Sequence, residues 1–221
     1  SPKICDDYMQ MYPALVRVIH KNNGGLSSAR NVGMDAARGK YVIFPDPDDW
    51  VELGYVSQMV ELQNYYQTDL LCVGYYVDTD EKCVPANEGQ KPNCMDRVTA
   101  QQALLIPPKM GGFAWNKLYH LDIIREHKLR FLDDVGTTED LEFAFHYLKY
   151  CDTVCFVPST RLYHYYQRSG AATHSEFSIK KMETIRTYEK IIESSENDKL
   201  VQAAKEEICN TAINLIWQYQ N

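Results

Sequence analysis

Apolar residues along this chain fall into two alternating patterns, short unbroken runs and helically spaced positions. Val16-Arg17-Val18-Ile19, Tyr41-Val42-Ile43-Phe44, Leu70-Leu71-Cys72-Val73 and the segments 153–157 and 161–166 read as strands. Ile4, Tyr8 and Met11 recur at helical spacing until Pro13 stops them. Further helices are predicted over 27–38, from Val56 to Tyr66, over 99–106 and from Leu141 to Leu148. Residues 115–129 read as an irregular helical segment with Leu118, Ile123 and Ile124 facing inward, and residues 77–97 as a hairpin or irregular excursion. Two amphipathic helices, about 176–195 and 198–219, close the chain as a packing or association appendage. The division that follows is residues 1–172 for the main domain and 173–221 for the helical extension.

The run Tyr41 to Phe44 is expected to be buried on both faces, and it ends in Pro45-Asp46-Pro47-Asp48-Asp49-Trp50. Ligands of an open α/β sheet bind at the carboxyl ends of its strands, so acids crowded there point to chemistry. Asp46 and Asp48 flank the rigid Pro47, and their repulsion calls for a positive charge such as a hard cation. An EF-hand is disfavoured, because its sixth position, counted from Asp46, is Val51 and not glycine.

Asn22-Asn23-Gly24-Gly25 is a turn signal before the helix over 27–38, with Ser27 as its expected N-cap and Gly39 as its C-cap. Such a turn hosts an anion or is a plain strand-to-helix connection. It is neither a P-loop nor a dinucleotide fingerprint. Met110-Gly111-Gly112-Phe113 is either a loop that orders over a ligand or an ordinary turn. Glu139 and Asp140 sit at the start of a helix, where the dipole alone favours acid.

With 221 residues the chain can build one sizeable core. A net charge of -7 argues against nucleic acid or an anionic membrane as a partner. No run reaches the ~18 apolar residues of a membrane span, and the opening residues carry no signal-peptide pattern. Seven cysteines without a CxxC suggest neither a disulfide framework nor a zinc site, so a reducing cytosol is the default.

Five stretches then occur in one order: Val18-Ile19-His20-Lys21-Asn22-Asn23-Gly24-Gly25-Leu26-Ser27-Ser28-Ala29-Arg30-Asn31, Ala36-Ala37-Arg38-Gly39-Lys40-Tyr41, Asp46-Pro47-Asp48-Asp49-Trp50, Trp115-Asn116-Lys117-Leu118-Tyr119, and Glu139-Asp140-Leu141-Glu142-Phe143. Over about residues 4–170 the chain resembles family-2 glycosyltransferases of the GT-A fold. The resemblance implies an α/β, Rossmann-like nucleotide-diphospho-sugar transferase with a mixed sheet flanked by helices. It also implies that the N-terminal strand-helix-strand part of the nucleotide-binding half is lacking, since Ser1 to Asp6 match text just after that half's acidic motif.

The family's D-x-D element carries over to Asp46 and Asp48, which would bind Mg2+ or Mn2+ and the ribose, Asp48 favouring the metal. Asp140 matches the general base, His164 a metal- or phosphate-contacting histidine, and Asn23, Gly24, Arg30 and Asn31 the surroundings of nucleotide and donor sugar. Trp115 and Glu139 fall on the acceptor side. What this implies is inverting, metal-dependent transfer from a nucleotide-sugar, a UDP-sugar first, to a glycan or lipid-linked acceptor in cell-surface polysaccharide synthesis. A cytoplasmic protein, peripheral at the inner membrane face and associating through its C-terminal helices, is the expected setting. The alternatives are an inactive remnant acting as a scaffold and a metal-dependent nucleotidyltransferase.

Overall fold

The computed structural model describes residues 2–106, 109–132, 138–167 and 182–220, the last stretch without the side chains of Gln218 and Gln220. Its centre is a mixed sheet in the order β1 (Tyr41–Val42), β6 (Lys117–His120), β3 (Leu70–Asp78), β7 (Val154–Tyr166), β2 (Trp50–Val51). β4 (Cys83–Pro85) pairs with β3, and β5 (Asn93–Met95) with β7. β3 and β7 run parallel, and every other pairing is antiparallel.

Alternation along the central strands builds a core on each face. Leu70 and Cys72 of β3, with Val154 and Phe156 of β7, meet α2 (Gly25–Ala36), α4 (Arg97–Leu105), α5 (Leu121–Glu126) and α6 (Glu139–Leu148). Leu71, Val73 and Tyr75, with Cys155, Val157 and Tyr163, meet Tyr55 and Met59 of α3 (Tyr55–Tyr66). Leu70, Leu71, Cys72 and Val73 are all fully buried, so each hydrophobe contributes roughly 1.5–3 kcal/mol. β7 crosses β3 with register shifts at Gly74, where an added Cβ would lie 2.2 Å from the Pro158 carbonyl oxygen. Only glycine lets the two backbones approach so closely.

Several sequence expectations need correction. The run Tyr41 to Phe44 is not buried on both faces: only Tyr41–Val42 form ladder pairs, both are half-buried, and β1 is the edge of the sheet. Pro45 and Pro47 cannot donate to a ladder, which stops it early. Residues 16–19 pair with no strand among the described residues, and Ile19 is exposed. An extended run without a neighbour to share its hydrogen bonds is not a strand. The helix α1 (Pro2–Met11) forms as expected but buries nothing.

α2 starts at Gly25 with Gly24 as its cap, while Ser27 lies inside it and donates to the Leu132 carbonyl at 2.9 Å. It ends at Ala36, with Ala37 and not Gly39 as its C-cap. The segment 115–129 is β6 followed by α5, not an irregular helix. The strands expected at 153–157 and 161–166 are one, β7. Cys94 and Cys155 stand opposite each other on β5 and β7 and form a disulfide, which corrects the reading of unpaired cysteines.

The closing helices are α7 (Glu183–Glu193) and α8 (Asp198–Gln220), and the expected start at 176 lies outside the described residues. Tyr188, Ile191, Leu200 and Ala204 belong to the same core as α4 and α6. Among the described residues no helix is long and apolar enough to cross a membrane.

Candidate active site

The glycine turn shapes the entrance to α2. Gly25 takes a positive φ of 81°, its N–H donates to Asn23 Oδ1 at 3.1 Å, and a Cβ on Gly24 would meet Ser28 Oγ at 2.9 Å. Ser27, Arg30 and Met34 then share the buried face of the helix at three- and four-residue spacing. Arg30 is thereby aimed inward, with its guanidinium over the Phe131 ring at 5.1 Å. Beside it, Asn31 donates to the Phe131 carbonyl at 2.8 Å and accepts from the Phe131 N–H at 3.0 Å. The Asn31 amide thus holds the segment under Arg30 in place.

Three carboxylates converge on that guanidinium. Nη2 donates to Asp46 Oδ1 at 2.8 Å, and Nη1 donates to Glu139 Oε1 at 3.2 Å and to Asp140 Oδ1. The arginine side chain is 7% exposed and its partners 12–24%, so these pairs are poorly screened. Asp46 comes from the turn after β1, and Glu139 and Asp140 from the first turn of α6, where the helix N-terminus favours their charge. The positive charge demanded by the acidic turn is therefore supplied, at Asp46, by Arg30.

Asp140 is also held at its second oxygen, where Oδ2 accepts the Ala114 N–H at 2.9 Å. The chain bearing Ala114 is fixed in turn by Lys117. This lysine is fully buried, and its Nζ donates to the carbonyls of Gly111 at 2.7 Å and Phe113 at 2.6 Å and to Asn116 Oδ1 at 2.9 Å. Those bonds make residues 111–113 a pinned turn.

Burial pushes the carboxyls of Asp140 and Asp46 above the usual carboxylate range; Arg30 opposes the rise, while Glu139 adds to it at Asp140 and Asp140 adds to it at Asp46. Burial lowers the affinity of Arg30 for its proton, yet Asp140, Asp46 and Glu139 together raise it above its ordinary value. Arg30, Asp46, Phe113, Trp115, Asp140 and Tyr165 line one cleft of about 360 Å³.

Of the residues singled out in the sequence, Arg30, Asp46, Glu139 and Asp140 meet in this cleft. Trp115 lines it but is 2% exposed, stacked on Tyr163 at 4.5 Å and Phe113 at 4.8 Å, so it is first of all a core ring. Asp48 is exposed at the tip of the turn, and Asn23 and Gly24 are exposed before α2. His164 keeps different company: it is buried against Trp50, Tyr76 and Asp78. Sequence reading missed Asp49 and Tyr163. The Tyr163 hydroxyl donates to Asp49 Oδ2 at 2.5 Å and accepts the Asp46 N–H at 3.0 Å, while Asp49 Oδ1 accepts the Tyr166 N–H at 2.9 Å. These bonds tie the acidic turn to β7. Asp49 stood in plain view beside Asp48, but its partners lie more than a hundred residues away.

Residues 1–127 match the family model described as glycosyl transferase family 2. EpsH of Bacillus subtilis (strain 168) is 34% identical over 169 residues, which is 75% of this chain and 48% of EpsH. The glycosyltransferase GlyA of Streptococcus pneumoniae serotype 4 is 31% identical over 144 residues, 62% of this chain and 20% of GlyA. The chain therefore spans about half or less of the length of these curated relatives. Among solved structures, Staphylococcus aureus TarS 1-349 in complex with UDP-GlcNAc superposes with a TM-score of 0.69 at 16% identity, over 94% of this chain and 60% of that one. The fold is thus that of a GT-A protein.

Proposed function

The chain belongs to glycosyl transferase family 2, and on that premise we propose that it transfers a sugar, with inversion, from a nucleotide-sugar to the hydroxyl of a glycan or lipid-linked acceptor in polysaccharide synthesis. A UDP-sugar is the donor we favour, since the similar TarS structure holds UDP-GlcNAc. The observation that carries this reading is the convergence of Asp46 and Asp140 on Arg30 in the lining of one cleft.

Asp140 acts as the general base. Both of its oxygens are positioned, by Arg30 and by the Ala114 N–H, before any substrate arrives. An acceptor hydroxyl within about 3 Å gives its proton to this carboxylate as its oxygen attacks the anomeric carbon. The bond from that carbon to the diphosphate oxygen breaks on the opposite face, and the electron pair leaves with the nucleoside diphosphate. No covalent intermediate forms. Burial favours proton uptake by Asp140, and the guanidinium opposes it by favouring the carboxylate.

Exposed Asp48 with Asp46 forms an oxygen donor set that suits a hard divalent ion; Arg30 takes Asp46 Oδ1, so Asp48 would be the principal ligand. Bound there, Mg2+ or Mn2+ supplies charge neutralisation for the departing diphosphate. The half-buried rings of Phe113 and Tyr165 offer apolar surface to the sugars.

The test is Asp140→Asn, assayed for UDP release with UDP-sugars and for UDP binding by calorimetry. Loss of a general base lowers kcat about 10²- to 10⁴-fold while nucleotide affinity stays. Unchanged turnover would remove Asp140 from the role, and absence of any nucleotide binding by the unaltered protein would favour a scaffold.

A further inference from the structure

On the sheet face that carries Trp50, His164 and Tyr76, away from the contacts of Arg30, a second group of side chains converges. Trp50 of β2 pairs with His164 of β7, which pairs with Tyr76 of β3, and Asp78 two residues on pairs with Cys83 of β4. Directly opposed residues share a face of the sheet, and so do residues two apart. Three adjacent strands, β7, β3 and β4, therefore present His164, Asp78 and Cys83 together, with Trp50 of β2 beside them.

We propose that Asp78, Cys83 and His164 form a binding site for a borderline divalent cation, Zn2+, with a donor set separate from the acids around Arg30. One donor atom from each residue lies within 4.8 Å of the other two. Asp78 Oδ2 is 2.9 Å and Cys83 Sγ 3.9 Å from the same imidazole nitrogen, Nδ1 of His164. Both acid and thiol thus address one nitrogen, which is how ligands surround an ion. Tetrahedral zinc with these donor types sets its ligand atoms roughly 3.4–3.6 Å apart, between the two separations seen. A carboxylate, a thiolate and a neutral imidazole together balance the ion's two charges.

The surroundings are those of a held ligand set. The imidazole is clamped between Trp50, stacked at 3.5 Å, and Tyr76, stacked at 4.7 Å. The Trp50 indole N–H donates to Asp78 Oδ2 at 3.1 Å. Nε2 of His164 is buried without hydrogen-bond geometry to any partner, yet Glu52 Oε1 stands 3.4 Å from it. With Nδ1 on a metal, the Nε2 proton meets that carboxylate, the outer-shell arrangement that orients metal-bound histidine. Asp78 Oδ1 is buried and lacks a hydrogen-bond partner. Cys83 is exposed, so the ion can enter from solvent and keep a fourth position for water. Bound there, it would fasten β4 to β7 and, through Trp50, steady the strand that follows the acidic turn.

Titrating the reduced, chelator-treated protein with Co2+, a spectroscopic stand-in for Zn2+, tests this. One equivalent is expected to produce a thiolate-to-metal charge-transfer band, displaced by Zn2+, with the melting temperature rising as Zn2+ is added. Cys83→Ser, at an exposed position, should abolish the band, and His164→Gln should weaken Zn2+ binding at least tenfold. Asp48→Asn should leave the band intact. Absence of a band from the unaltered protein, or its persistence in Cys83→Ser through exposed Cys5, Cys209 or the Cys94 freed by reduction, would overturn the assignment.

Discussion

Arg30 and Asp140 are joined by a hydrogen-bonded ion pair across 110 residues of sequence, and the second nitrogen of the same guanidinium reaches Asp46. One side chain on α2 thus sets both the end of the acidic turn and the start of α6. Three carboxylates around a single buried cation would repel one another without it. The cleft is organised by this charge before a substrate enters.

Replacing Arg30 with Gln should cost about 3–5 kcal/mol at pH 7, because a buried pair loses one partner and leaves charges uncompensated. The pH dependence has a definite sign. Asp46 and Asp140 already have folded-state pKa values above the ordinary one, so their ionised forms cost stability above the unfolded pKa, and the cost fades as pH falls through the folded value. Without Arg30 the folded values rise further. Urea denaturation should therefore show the deficit of Arg30→Gln shrinking as pH is lowered from 7 toward the ordinary aspartate value of about 3.9, and a deficit that grows would contradict the reading.

Lys117 is a positioning residue. Its three hydrogen bonds hold the turn that carries the Ala114 N–H to Asp140. Lys117→Met keeps the volume and takes the donor from three acceptors, of which the Gly111 carbonyl and Asn116 Oδ1 are buried, at about 1–3 kcal/mol for each buried one. Steady-state kinetics should show kcat falling with donor KM unchanged, since the base loses alignment while the nucleotide side is untouched. A rise in KM alone would place Lys117 elsewhere in the cycle.

Part of the cleft was legible in compact stretches, Asp46 after an apolar run and Glu139 and Asp140 opening a helix, while Arg30 entered only through the family resemblance. Their joint partner was not legible, since nothing in the spacing says that Arg30 turns inward. Lys117 hid the strand β6, because a charged residue reads as solvent-facing and only its three acceptors make burial tolerable. The run Tyr41 to Phe44 was over-read for the opposite reason: four apolar residues look central, yet the strand is a two-residue edge. The Cys94–Cys155 disulfide spans 61 residues and follows from strand register, which composition does not carry. The Asp78, Cys83 and His164 group likewise draws on three strands.

The pH dependence of kcat/KM for sugar transfer, measured on the unaltered protein and on Glu139→Gln, tests the central claim most directly. Asp140 as base places the acid limb above the ordinary aspartate value of about 3.9, because burial raises it. Glu139 contributes to that rise, so neutralising it should move the limb to lower pH. An acid limb that stays in place in Glu139→Gln would show that the titrating base is not Asp140.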